Sequence, residues 1–467
     1  MKRIRPIVLS NRVPALRIRI QLAASKSLSF LLTLTILVSG CAHCRPNAPL
    51  HLSDTRSGYR FRNAASQTNS PDLLLILAFS GGGTRAAAVS YGVLEELART
   101  PVGQGQEQHR LLDDVDLISS VSGSSFTAAY YALWGDRLFM DFEPLFLKNH
   151  IQTSLWLRFL APWNQIRLAS PQLNSSDLAA EYYDQLLFKG ATFGDLADRP
   201  NRPFLIIGAT DAASGAQFQF TQDQFDLVGS DLSKFRISRA VAASTALPSR
   251  LSPIVIQNYS VTPQHPKTDR IGQSNFIHLV DGGIADHLGA NGLADKAFAF
   301  EGLTNGSPTA AVKNAKRIAL IIVDAHVGSD YGWDVNDRVP GVDAIFGSTS
   351  TTAISPYACE AVELYHEILN RLARERIQDI SKRTPEFSTY VVNLHFNHLE
   401  NDGDRRFFNS VPTNFQLPSK TVDRLRQLAA HQLASNEEFC RLVHDLGGHP
   451  TSSDSTNRQQ LTTLKKP

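Results

Sequence analysis

Apolar runs long enough to cross a bilayer are missing from this chain. The most apolar N-terminal stretch, 28–38, is broken by serine and threonine and falls well short of the roughly 20 residues that a spanning helix needs. An excess of one charge is also missing. The 46 basic residues stand against 44 acidic ones, so there is no general nucleic-acid footprint. Cysteine is scarce, with Cys41, Cys44, Cys359 and Cys440 alone. Two close cysteines without a second pair do not make a zinc site, and so few support no disulfide framework. No Asp/Asn-rich loop of EF-hand type occurs, so neither a metal nor a cofactor is expected. What is present is a 467-residue chain with 42% hydrophobic residues, the composition of a globular enzyme with a sizeable core.

That core begins at Leu73. Leu73–Phe79 (LLLILAF) reads as a buried strand, being short, wholly apolar and soon followed by glycine. Further apolar runs at 115–119, 203–210, 276–280 and 317–323 are separated by helical stretches, which predicts a mainly parallel α/β sheet. In the C-terminal third, Ala361, Leu364, Tyr365, Ile368, Leu369, Leu372 and Ile380 mark a long amphipathic helix. A strand at 389–394 and a helix at 421–433 follow it.

After the first strand comes Ser80-Gly81-Gly82-Gly83-Thr84-Arg85. Val89, Val93, Leu94 and Leu97 then recur at helical spacing, with Glu95 and Glu96 expected on the other side. Strand, glycine turn and helix aim several backbone N–H groups at one place, reinforced by the positive end of the helix dipole. Such a nest binds a phosphate or stabilises an oxyanion. The Lys-Ser/Thr of a P-loop is absent and the spacing is not G-x-G-x-x-G, which weakens the phosphate reading.

A second strand–turn–helix unit runs Ile118-Ser119-Ser120-Val121-Ser122-Gly123-Ser124-Ser125. A nucleophile elbow needs small residues two before and two after its serine, because the turn brings them close together. Ser120 and Ser124 take those places around Ser122, which ranks it first. Ser125 ranks second, with Gly123 before it but Thr127 after it. A simple helix-capping turn is the alternative. A serine nucleophile needs a base, yet His278, His287 and His326 carry no loop signature. Asp281-Gly282-Gly283 is more suggestive, since a carboxylate ending a strand in a glycine turn has an open path to a neighbouring elbow.

Taken together, the glycine loop with Arg85, the serine elbow and the late Asp-Gly-Gly resemble the patatin-like phospholipase family. Arg239-Ala240-Val241-Ala242-Ala243-Ser244-Thr245-Ala246-Leu247-Pro248 stands between the second and third motifs, as in that family. The resemblance spans about 73–330, and 411–425 resembles the C-terminal region of bacterial members. It implies a three-layer α/β/α patatin-like hydrolase fold with a mainly parallel central sheet and a C-terminal α/β extension. It further implies that Ser122 is the nucleophile and Asp281 its partner in a Ser–Asp dyad without histidine. Gly81, Gly82 and Gly83 would supply oxyanion-hole N–H groups, with Arg85 supporting the loop or the developing charge. The implied activity is a lipid acyl hydrolase of the phospholipase A, lysophospholipase or carboxylester type. Three departures stand out: Ser80 replaces the usual Asp, Ala86 replaces the Gly after Arg85, and the elbow lacks flanking glycines. A catalytically inactive binding or structural module is therefore the alternative.

The N-terminus carries Lys2, Arg3, Arg5, Arg12, Arg17, Arg19 and Lys26 ahead of the 28–38 stretch, the pattern of a secretory signal. Leu37-Val38-Ser39-Gly40-Cys41 resembles a bacterial lipoprotein lipobox, with Cys41 as the lipidated residue and Ala42 after it favouring the outer membrane. The expected order is a signal peptide (1–40), a flexible tether (41–71), a catalytic domain (72–330), an extension packed on the core (331–447) and a disordered tail (448–467). Trp156, Phe159, Leu160, Trp163 and Ile166, with Arg158 and Arg167, suit either a core-packed helical hairpin, the favoured reading, or a lipid-facing lid. The expected partners are an acyl-ester lipid and a membrane surface, not nucleic acid.

Overall fold

The computed structural model describes residues 47–50, 57–64, 70, 72–170, 173–199, 201–248, 250–260, 274–290, 293, 312, 314–327, 355–378 and 387–449. The expected signal peptide, Cys41, most of the tether and nearly all of the tail lie outside the described residues.

Strands β1 (Leu73–Phe79), β2 (Val115–Val121), β3 (Phe204–Asp211), β4 (Gln217–Gln219), β5 (Ile254–Gln257), β6 (Phe276–Asp281), β7 (Arg317–Asp324) and β8 (Ser388–His395) form one sheet. Its order is β8-β7-β1-β2-β3-β6-β5, with β4 paired to β3. The five strands from β8 to β3 are parallel, whereas β6 runs antiparallel to β3 and β5. Every residue of β1, β2 and β3 is buried. Helices cover both faces, which is why these strands read as continuous apolar runs rather than alternating ones.

The helices used below are α1 (Thr84–Arg99), α2 (Ser124–Trp134), α3 (Ile151–Leu160), α4 (Pro162–Leu168), α5 (Ile237–Ser244), α6 (Ser355–Gln378), α7 (Ser419–Ala434) and α8 (Glu437–Asp445). The C-terminal stretch does more than pack on the core. Its strand β8 pairs with β7 in register from Arg317↔Ser388 to Asp324↔His395, so it completes the sheet.

Three expectations need correction. Helix α1 was expected to turn Glu96 outward, yet Glu96 is buried, on a helix that packs against α7 as well as against the sheet. The tether is not loose where it is described. Ala48–Pro49 pairs with Ser230–Asp231, Tyr59 stacks on Phe204 at 4.4 Å, and Arg60 pairs with Asp223 and Asp226. Tyr59 and Phe61 are too apolar to leave in water, and both are buried. The core-packed hairpin fails as well: Trp156, Leu157, Leu160 and Trp163 are all more than half exposed. Helix α3 buries only Ile151 and Leu155, and α4 buries only Asn164. Described residues 157–170 and 173–175 form a compact unit distinct from the rest of the described chain.

Helices α1 and α7 approach closely at Gly92. A Cβ there would sit 2.4 Å from the Arg426 carbonyl oxygen and 3.0 Å from Ala429 Cβ. Around this contact Arg426 pairs with Glu95 at 3.1 Å and lies over the Tyr91 ring, 4.6 Å from its centroid. Because backbone cannot yield as a flexible side chain does, Gly92→Ala is expected to lower stability by about 1–3 kcal/mol. Urea unfolding followed by circular dichroism measures it, and an unchanged midpoint would contradict this packing.

Candidate active site

Strand β2 delivers its chain into a sharp turn at Ser122, whose φ is +54°. A left-handed backbone at a non-glycine residue persists only where the surroundings fix it, and here they do. The next residue must be glycine, since a Cβ on Gly123 would lie 2.0 Å from the Gly83 carbonyl oxygen. The serines in the usual glycine places are accommodated by hydrogen bonding. Ser124 Oγ lies within hydrogen-bond reach of the Phe79 and Val121 carbonyls, at 3.0 and 2.8 Å, and Ser120 Oγ reaches the Ile206 carbonyl at 3.2 Å. Ser125 is fully buried, with its hydroxyl 3.2 Å from that of Ser244.

Asp281 ends β6, which is two strands from β2 rather than its neighbour. Antiparallel β6 overlaps β3 only from Leu279↔Asp211 to Asp281↔Ala209, so its last residue stays near the carboxyl edge of the parallel strands. Gly282 makes the approach possible, because a Cβ there would sit 2.3 Å from the Gly208 carbonyl oxygen. Ser122 Oγ donates to Asp281 Oδ2 at 2.8 Å. The other carboxylate oxygen accepts the Gly283 N–H at 2.9 Å, which fixes the carboxylate's orientation. Burial pushes the Asp281 carboxyl up to about 6, against the Gly283 N–H and Ser122 hydroxyl, which favour the charged form. That value suits a base working near neutrality.

The glycine loop after β1 lies against this pair: a Cβ on Gly81 would be 3.2 Å from Ser122 Cβ. Its three amides are not equivalent. The Gly81 N–H donates to the His287 carbonyl at 3.1 Å, so Gly81 anchors the loop and, contrary to expectation, has no amide to offer an oxyanion. Gly82 and Gly83 have positive φ (+142° and +62°), and their amides have no hydrogen-bond partner among the described residues. The Gly123 amide is in the same state. Of Arg85's two expected roles, the geometry matches support of the loop. Its Nε donates to the Ala325 carbonyl at 2.8 Å, Nη1 to the Val411 carbonyl and Nη2 to Thr413 Oγ1 at 3.0 Å. Ser80, in place of the usual Asp, accepts the Ala325 N–H at 2.8 Å. Asn414 completes the clamp by accepting the Thr84 N–H at 2.8 Å.

No histidine bonds Ser122 among the described residues. His278 is exposed on β6. His287 and His326 sit with His395 around Asp324, their rings 4.8 Å apart. Burial lowers all three despite the nearby carboxylate, His287 to about 4, so near pH 7 they are neutral. Sequence reasoning missed the clamp at 411–414 and the hydroxyl of Ser244. The family-like stretch 239–248 was the one signal pointing toward the latter.

The buried carboxylate, the elbow serine bonded to it and the glycine loop thus meet at the carboxyl edge of the parallel strands, in a sheet covered by helices on both faces. Residues 77–294 match the model of the patatin-like phospholipase family, and over that span the chain carries a patatin-like phospholipase domain. Among solved structures, human GIVD cytosolic phospholipase A2 is similar at a TM-score of 0.44 and 12% identity, with 83% of this chain and 62% of that chain covered. The same human protein in complex with methyl gamma-linolenyl fluorophosphonate gives a TM-score of 0.42 and 14% identity over 83% and 62%. This chain thus spans under two thirds of their length. No curated protein matches it.

If Arg85 holds the loop through three separate acceptors, lysine cannot replace it, since one ammonium cannot reproduce the guanidinium fork. Arg85→Ala and Arg85→Lys are both expected to slow ester turnover by about 100-fold, the scale of losing an oxyanion donor. Steady-state kinetics measures it, and full activity in the lysine variant would sink the clamp.

Proposed function

We propose that this protein is a lipid acyl hydrolase of the phospholipase A, lysophospholipase or carboxylester type, with Ser122 as nucleophile and Asp281 as base. The observation that carries the reading is the 2.8 Å bond from Ser122 Oγ to Asp281 Oδ2, made by a serine held at φ +54°. Asp281 takes the hydroxyl proton as Oγ attacks the ester carbonyl. Negative charge on the carbonyl oxygen is met by the amides of Gly82, Gly83 and Gly123, preorganised donors that need no rearrangement. Collapse of this intermediate breaks the ester bond, and the leaving alcohol takes the proton from Asp281. Water then gives a proton to Asp281 and attacks the acyl-enzyme. The fatty acid departs and Ser122 recovers its hydroxyl.

A lipid surface suits this chemistry. The exposed Trp156, Leu157, Leu160 and Trp163 supply amphipathic and apolar groups of the kind that enter an interface. The lipobox-like sequence ending at Cys41 supports attachment to a bacterial envelope membrane, the outer membrane by its following Ala42. The inactive-module alternative loses ground, because the serines at 120 and 124 bond to backbone without disturbing the elbow.

Ser122→Ala and Asp281→Asn are each expected to reduce hydrolysis of a short acyl ester by at least about 1,000-fold, as loss of a nucleophile or base does elsewhere. Circular dichroism should find the fold intact. Wild-type turnover in either variant would remove the dyad.

A further inference from the structure

The hydroxyl of Ser244 has no place in the chemistry above, yet it holds the backbone amide of the nucleophile. Ser244 is the last residue of α5 and is fully buried. Its Oγ accepts the Ser122 N–H at 2.8 Å and donates to the Gly208 carbonyl at 2.6 Å. Gly208 lies on β3, between the strand that carries Ser122 and the strand that carries Asp281. Two residues on, the Ala246 carbonyl accepts the Asp281 N–H at 3.0 Å. One short stretch of chain therefore holds the main-chain amides of both dyad residues. Neither bond belongs to the sheet ladder.

We propose that Ser244 is a positioning residue for the nucleophile, acting by locking the Val121–Ser122 peptide so that Ser122 stays left-handed with Oγ aimed at Asp281. The inference rests on the dyad reading given above. Rotation about one bond decides where Oγ points. With the Ser122 N–H pinned to a hydroxyl that is itself pinned to the sheet, φ is set by where the Cα–Cβ bond must point. The Ser125 N–H bonded to the Ser122 carbonyl at 3.0 Å holds the far side of the residue, and the bond to Asp281 holds the tip. A serine prefers the right-handed region. Removal of the acceptor would free the peptide to turn and would leave a buried N–H without a partner. Oγ would then swing off Asp281 without any change to the groups that bind substrate.

Three variants test this in the full chain: Ser244→Ala, which has no acceptor; Ser244→Cys, which keeps the size but accepts weakly; and Ser244→Thr, which keeps the hydroxyl. The measurements are kcat and KM on a short acyl ester, with thermal melting alongside. The alanine and cysteine variants should lose about 100-fold in kcat, the scale of a small misplacement of a reacting group, with KM within about twofold of wild type. The threonine variant should recover most of kcat. Cysteine is near enough in size to fold, so a folding failure in alanine or threonine leaves the test standing. Wild-type kcat in the cysteine or alanine variant would overturn the inference. So would losses in all three that track their melting temperatures, which would mark a packing role. The dyad reading fails differently: there, the wild-type protein itself would be inactive, or Ser122→Ala would remain active.

Discussion

The structure turns on a single hydrogen bond, from the hydroxyl of Ser122 to the buried carboxylate of Asp281. Two strands separated by a third must bring their ends within 2.8 Å, and the glycines follow from that demand. Gly123 lets the elbow close against Gly83, and Gly282 lets the end of β6 pass the carbonyl of Gly208. Side chains at these positions would hold the two groups apart. Burial in the same crowded place pushes the carboxyl up to about 6.

The glycine loop has a corresponding division of labour. One amide ties it to the turn beyond Asp281, through the His287 carbonyl, and the other two have no partner among the described residues. Arg85 and Asn414 fasten it to residues 411–414, just ahead of α7. Helix α7 packs on α1, which begins where the loop ends, and β8 completes the sheet beside β7. The C-terminal stretch thus holds the glycine loop in place as well as enlarging the core.

Much of this was legible in the residues. Strands buried on both faces announce themselves as short apolar runs, so β1 was readable to the residue and β2, β3 and β7 nearly so. The dyad candidates were legible because an elbow and a strand-ending Asp-Gly-Gly each carry a local steric requirement. Long-range backbone pairing was not. Nothing in the sequence says that the Gly81 amide is occupied by His287, or that the hydroxyl of Ser244 reaches an amide 122 residues away. The antiparallel direction of β6 depends on a connection whose composition does not encode it. Tyr59 and Phe61 were misread because a polar stretch hid two buried rings. The exposed tryptophans were misread because an aromatic stripe fits either a core or an interface.

In the proposed mechanism a carboxylate titrating near 6 activates Ser122. A fluorophosphonate probe reports this directly when its labelling rate is followed across pH and the modified peptide is identified by mass spectrometry. The proposed mechanism predicts a label on Ser122, with a rate that rises about tenfold per pH unit below 6 and levels off above it. Asp281→Asn should abolish that dependence together with most of the rate. Labelling at another serine, or a rate on Ser122 that is insensitive to both pH and the asparagine substitution, would contradict it.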